Sequence, residues 1–164
     1  MKQGELIATT ALTWVGTPYM NYAMVKGRGV DCAHLILGVL LESGLLHDGD
    51  LRIEQYSNEW HLHRSEEKFI KHIRKIAYEV DSPQIGDFLL YQYGRCVSHG
   101  AILVAPGVVA HAFVDQGVIL SKLDDVLFYD AKGRHRLRHI YRFNGKGKPN
   151  GLFIRWQRNH HKSR

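Results

Sequence analysis

Two patterns divide the chain: apolar positions recur at helical spacing up to about residue 76, and beyond Pro83 they gather into short runs that read as strands. Leu6, Ile7, Leu12 and Trp14 mark a first helix from about Gly4 to Trp14, ending near Gly16. Thr17 to Val30, with Gly27 and Gly29, reads as a loop. Asp31 is placed to cap a second helix through Leu35, Ile36, Leu40 and Leu41 that stops at Gly44. After an irregular stretch from His47 to Ser57, Trp60, Leu62, Phe69, Ile70, Ile73 and Ile76 mark a third helix, exposed on its Glu66, Lys68, Lys71 and Arg74 side. Strands follow at Phe88 to Tyr93, His99 to Val104, Val108 to Phe113, Val118 to Ser121, Ile140 to Phe143 and Leu152 to Trp156. Helices first and strands after is an α+β order, with N-terminal helices packed on a C-terminal antiparallel sheet.

The boundary between the first loop and the second helix carries the chemistry. Cys32 falls in the first helical turn, where free N–H groups and the positive end of the macrodipole lower a thiol pKa from about 8.5 and hold a developing oxyanion. Such a cysteine also fits the blander role of a small buried hydrophobe. A nucleophile needs a base, and His99 and His111 lie on two short strands around Ala105-Pro106-Gly107. If those three residues form the loop, Val104 pairs with Val108 and both imidazoles share one face. A two-residue loop pairing Ala105 with Val108 sends them to opposite faces, so the chemistry requires odd loop parity.

These residues resemble the NlpC family of papain-like cysteine peptidases of bacterial cell-wall peptides. The motifs that carry the resemblance are Val15-Gly16-Thr17-Pro18-Tyr19, Gly29-Val30-Asp31-Cys32, Gly86-Asp87-Phe88, His99 and His111, in the family's order and spacing. The resemblance implies a papain-like fold, with Cys32 as nucleophile, His99 as general base and His111 as the residue that orients it. It implies substrate contacts at Tyr19, Asp31 and the two positions after Cys32, and as substrate the γ-D-glutamyl-diamino acid bond of peptidoglycan stem peptides. The usual Ser-Gly after the Asp-Cys pair is replaced here by Ala33 and His34, which bears on specificity more than on chemistry. No cofactor is implied. Asp87 reads as a turn or capping residue, and Asp31 as an N-cap before it is a substrate contact.

At 164 residues and 45% hydrophobic, the chain suits one domain over 1–164 with a real core. The first residues lack a signal-peptide core and nothing approaches a membrane span, so synthesis in the cytoplasm without an export signal is expected. With no wall-binding module attached, the chain resembles stand-alone family members of phage or prophage tails, delivered to the wall with tail proteins as partners. Cys96 lies three residues before His99; that odd offset in a continuous strand puts the two on opposite faces, leaving Cys96 a semi-buried structural thiol.

Charge is segregated. Residues 1–130 hold 11 Lys or Arg against 16 Asp or Glu, whereas 131–164 hold 11 Lys or Arg and no acid. This basic C-terminal segment is either a solvated face or a contact for an anionic polymer. Its Tyr141, Phe143, Phe153 and Trp156 alternate as half-buried strands do and are read as core. Among 11 histidines, His61 with His63, His135 with His139, and His160 with His161 pair without a third and fourth ligand at structural-zinc spacing, so no metal site is expected. A cysteine peptidase is the leading class, set against an acyl-transfer or amidase relative of the same fold and a non-catalytic tail or polyanion-binding protein.

Overall fold

The computed structural model describes residues 1–53 and 68–146. Its helices are α1 (Gln3–Leu12), α2 (Cys32–Glu42) and α3 (Lys68–Ile73). Its strands are β1 (Met24–Val25), β2 (Gly29–Val30), β3 (Ala77–Glu79), β4 (Phe88–Tyr93), β5 (Cys96–Ala105), β6 (Val108–Phe113), β7 (Gly117–Lys122) and β8 (Leu137–Phe143). The expected strand Leu152–Trp156, the start of the third helix at Trp60, the His61, His63, His160 and His161 pairs, and the basic tail from Arg155 lie outside the described residues.

Strands β3 to β8 form one antiparallel sheet in the order β3-β8-β4-β5-β6-β7. Consecutive hairpins run from β4 to β7, and β8 returns to lie between β3 and β4. The central strands bury both faces, which explains their near-continuous apolar runs. Phe88, Leu90, Ile102, Val104 and Ala110 pack with Ile7, Leu35, Ile36, Phe69 and Ile70 of the helices. Leu89, Tyr91, Ala101, Leu103 and Val109 form a second cluster, closed by Phe128 from a short 3-10 helix at Val126–Phe128. Each Val, Leu, Ile or Phe among them contributes about 1.5–3 kcal/mol when fully buried. The centre of the sheet is therefore a costly place to open and a rigid base for side chains on β5.

The α+β architecture matches the order of the two patterns. Several local expectations are corrected. Residues 17–30 contain the β1–β2 hairpin, and Tyr19 bridges to Val30 in parallel. Helix α1 ends at Leu12 and buries Ile7, Ala8 and Ala11, while Leu12 is exposed. The third helix stops at Ile73, and β3 and the 3-10 helix, both too short to show a period, were not expected. Asp87 is more than a turn residue: buried, it accepts from Gln84 N–H at 2.7 Å and pairs with Arg142 Nε and Nη2, each at 2.9 Å, fastening β8 to the start of β4.

Candidate active site

The loop before α2 is built to present Cys32. Gly16 N–H donates to Val118 O and Val118 N–H to Thr17 O, so Gly16-Thr17 runs as an extra edge along β7. Val30 N–H donates to Pro18 O and Met20 N–H to Val30 O, which holds Tyr19 beside β2. Asp31 caps α2 by accepting the His34 N–H at 2.8 Å. The same carboxylate takes His34 Nδ1 at 2.8 Å and the Tyr22 N–H at 2.7 Å, and the last bond secures Tyr22 in a left-handed conformation, φ 57°. Asp31 is fully buried and committed to these three donors. His34, which replaces the small residue of the family pattern, folds back on Asp31 with the Tyr22 ring edge-on at 5.0 Å. It packs against the loop, and Ala33 is buried beside it.

The thiol reaches into the sheet. Cys32 Sγ donates to Ser98 O at 3.5 Å, and the backbone N–H groups of Gly100 and Ala33 face the sulfur and favour its thiolate. The nucleophile candidate thus brackets His99 on β5, touching the residue before it and the residue after it. Gly100 makes this approach possible, because a Cβ there would stand 2.7 Å from Phe69 Cζ and 3.0 Å from Ile36 Cδ1.

His99 and His111 meet: His99 Nε2 lies 2.8 Å from His111 Nδ1. The hairpin that brings them together differs from both expected registers. Ala105 pairs with Val108, so the loop has two residues, Pro106-Gly107. Leu103 pairs with Val109 and Ile102 with Ala110, so Val104 is an extra residue bulged out of the pairing. The bulge restores the parity that the short loop removes, and the continued register sets His111 opposite Ala101. A second bulge separates the pairs Tyr91–His99 and Gln92–Val97, leaving Ser98 extra. It breaks the strand continuity on which the opposite-face argument for Cys96 rested, and Cys96 is fully rather than partly buried.

Beyond His111 the chain of polar contacts goes one step further, with His111 Nε2 lying 2.8 Å from Ser121 Oγ on β7. Ser121 was not singled out from sequence. The signal was its lone polar side chain on the β7 face diagonal to His111, legible once Val109 is paired with Ser121. Around these groups stand aromatic rings: Tyr93 and Phe113 lie edge-on to His99 at 5.6 and 5.7 Å, and Tyr91 stacks on Phe128 at 4.4 Å.

This dry setting decides the protonation state. Burial, and then the Asp31 charge, push the Cys32 thiol up to about 12, against the expectation that the helix start would lower it. Burial and then His111 hold His99 well below the usual imidazole range, and burial brings His111 down to about 4. Tyr19, half-buried, is pushed up by burial and by the Cys32 and Asp31 charges, which places its hydroxyl in the field of the Cys32 sulfur. Burial thus favours a neutral thiol beside two neutral imidazoles. Among the described residues no cluster of three His, Cys, Asp or Glu could hold a metal ion.

Solved structures share this arrangement of elements. Two NlpC proteins from Trichomonas vaginalis superpose with TM-scores of 0.59 and 0.57 at 15% and 16% identity, over 85% of this chain. The NlpC/p60 domain of the peptidoglycan hydrolase SagA superposes with a TM-score of 0.57 at 18% identity, over 87% of this chain and 100% of that domain. The chain has the NlpC/p60 papain-like fold. It spans 46% and 44% of the two Trichomonas chains. No protein-family model matches the sequence. No curated protein matches it either.

On this NlpC/p60 scaffold the first basic run is largely engaged internally. Arg134 pairs with Asp130 at 2.8 Å, Arg136 lies 4.4 Å over the Tyr93 ring, and His139 meets Glu79 at 2.6 Å. Tyr141 and Phe143 are core, as their alternation implied. No helix among the described residues is long and apolar enough to cross a membrane.

Proposed function

We propose that the protein is a cysteine endopeptidase that hydrolyses peptidoglycan stem peptides, at the γ-D-glutamyl-diamino acid bond, with Cys32 as nucleophile, His99 as base and His111 as its orienting partner. The observation that carries this reading is the His99 Nε2 to His111 Nδ1 contact at 2.8 Å, which leaves Nδ1 as the free nitrogen of a ring whose two neighbours in sequence already hold the Cys32 thiol. The fold it shares with the SagA domain, from a peptidoglycan hydrolase, points to the substrate class.

The chemistry follows from the protonation states. With thiol and imidazole both neutral at rest, the Cys32 proton passes to His99 Nδ1 as the sulfur attacks the peptide carbonyl. The developing oxyanion is stabilised by the positive end of the α2 dipole and by helix-start N–H groups that turn to it as the sulfur becomes covalently bound. His111 keeps the imidazolium oriented, as the third member of other triads does. His99 then protonates the leaving amine, and water, activated by His99, hydrolyses the thioester. Tyr19, beside Cys32, is placed to line the substrate path.

Incubation with purified muropeptides followed by mass spectrometry of the products tests both the reaction and the bond. Release of free stem peptide is expected, abolished in Cys32→Ala while the circular dichroism spectrum is kept. Undiminished release by Cys32→Ala, or an acylated acceptor in place of free peptide, overturns the assignment.

A further inference from the structure

We propose that Ser121 is a positioning residue of this site: by accepting the His111 Nε2 proton, it sets the direction of the hydrogen-bond chain that leaves the His99 Nδ1 lone pair open to Cys32. The inference deepens the peptidase reading and rests on it for its catalytic consequence.

Ser121, His111 and His99 form one line, with Ser121 Oγ 2.8 Å from His111 Nε2 and His111 Nδ1 2.8 Å from His99 Nε2. Two neutral imidazoles in such a line have two self-consistent proton arrangements. In the first, His111 donates its Nε2 proton to Ser121 and accepts the His99 Nε2 proton at Nδ1, so that His99 Nδ1 carries a lone pair. In the second, the Ser121 hydroxyl donates to His111 Nε2, His111 donates from Nδ1 to His99 Nε2, and His99 carries its proton on Nδ1. Both arrangements contain the same number of protons and hydrogen bonds. Only the first provides a base for the thiol, because in the second the nitrogen left for Cys32 already bears hydrogen.

Ring rotation cannot exchange the two states cheaply. His99 is held edge-on by Tyr93 and Phe113, and His111 lies fully buried with Phe113 at 5.6 Å and Phe128 at 5.2 Å. The remaining freedom is the placement of protons, and the group that terminates the line governs it. A hydroxyl can close the line in either direction, donating one proton or accepting on two lone pairs, and the base that the peptidase reading requires selects the accepting arrangement. Ser121 is itself buried, so water does not readily substitute for it. The effect is confined to a tautomer, which is why Ser121 acts through His111 and touches neither thiol nor substrate.

The test uses the full chain labelled with 15N-histidine, in which long-range proton–nitrogen correlations identify the tautomer of each ring. The proposal expects the proton on Nε2 in both His99 and His111, and a proton on His111 Nδ1 overturns it. Ser121→Ala is expected to give a mixed His111 tautomer and a kcat on muropeptides lower by roughly tenfold with KM unchanged, the size set by losing one hydrogen bond. Ser121→Thr keeps the hydroxyl and is expected to restore both the tautomer and most of kcat. Unaltered tautomers and kcat in Ser121→Ala overturn the proposal. A wild-type chain with Nε2 protons on both rings and no muropeptide turnover supports the role of Ser121 in the line while defeating the peptidase reading.

Discussion

At Cys32 two effects of opposite sign meet. Helix-start N–H groups stabilise a thiolate, whereas burial and the fixed Asp31 carboxylate destabilise it, and the second pair wins by enough to hold the thiol at about 12. A Born-type penalty outweighs a dipole because the sulfur is enclosed, while the dipole term is worth about 0.3–1 kcal/mol near a surface. The measurable consequence is the pH dependence of alkylation at Cys32, followed by mass of its peptide. The rate is expected to keep rising with pH through 9 and 10, and a plateau near neutrality, the mark of a preformed thiolate–imidazolium pair, contradicts the neutral resting state. The identity of these residues was legible in the sequence: Cys32 after an N-cap, and two histidines on adjacent strands. The sign of the thiol shift was not, because it depends on how completely α2 and β5 exclude water from the sulfur.

At the level of elements, the decisive device is the pair of bulges on β5. A two-residue turn and one extra residue, Val104, together give the pairing that a three-residue loop was expected to supply. Strand existence was readable from short apolar runs bounded by turn residues, and Phe88–Tyr93 and Val108–Phe113 fall where that pattern puts them. Register was not, because Val104 is as apolar as its neighbours and composition does not mark a bulge among Val, Leu and Ile. The other device is the close seating of α3 against β5 at Gly100. Gly100→Ala is expected to cost roughly 1–3 kcal/mol, as overpacking does in a dense interior, read as a lower urea midpoint with an unchanged m-value. It should also reduce Cys32 reactivity more than Gly38→Ala does; Gly38→Ala crowds Trp14 instead, at 2.7 Å, on α2 six residues beyond Cys32. Equal loss of reactivity in the two variants would show that general destabilisation, and not the β5 contact, is responsible.

For the whole molecule, the buried site sets a window of stability. His111 is at about 4 when folded and near 6.5 when unfolded, so below pH 6.5 the unfolded chain binds a proton that the folded chain refuses. Stability therefore declines as pH falls from about 6.5 to 4, by about 3 kcal/mol for His111 alone, with His99 acting in the same direction. On the alkaline side the unfolded thiol ionises near 9.0 while the folded one resists to about 12, so stability falls again as pH rises above 9. Thermal melting is expected to be flat between these limits and to drop on both sides, and a His111→Gln variant should show a shallower acid limb; an identical acid limb in that variant would assign the effect to other groups. The division into helices and sheet was legible at this scale because helical and strand patterns occupy separate parts of the chain. The partners of the basic run were not, since Glu79, Gln92 and Tyr93 lie far from it in sequence and reach it only through the fold.

The Gly100 N–H that points at the Cys32 sulfur has a practical use. A backbone amide donating to a thiol changes its chemical shift and its solvent exchange when the acceptor becomes a thioester or an alkylated sulfide. On the proposed peptidase reading, the Gly100 resonance is thus a built-in gauge of the covalent state of Cys32, readable during turnover without a label on sulfur or substrate.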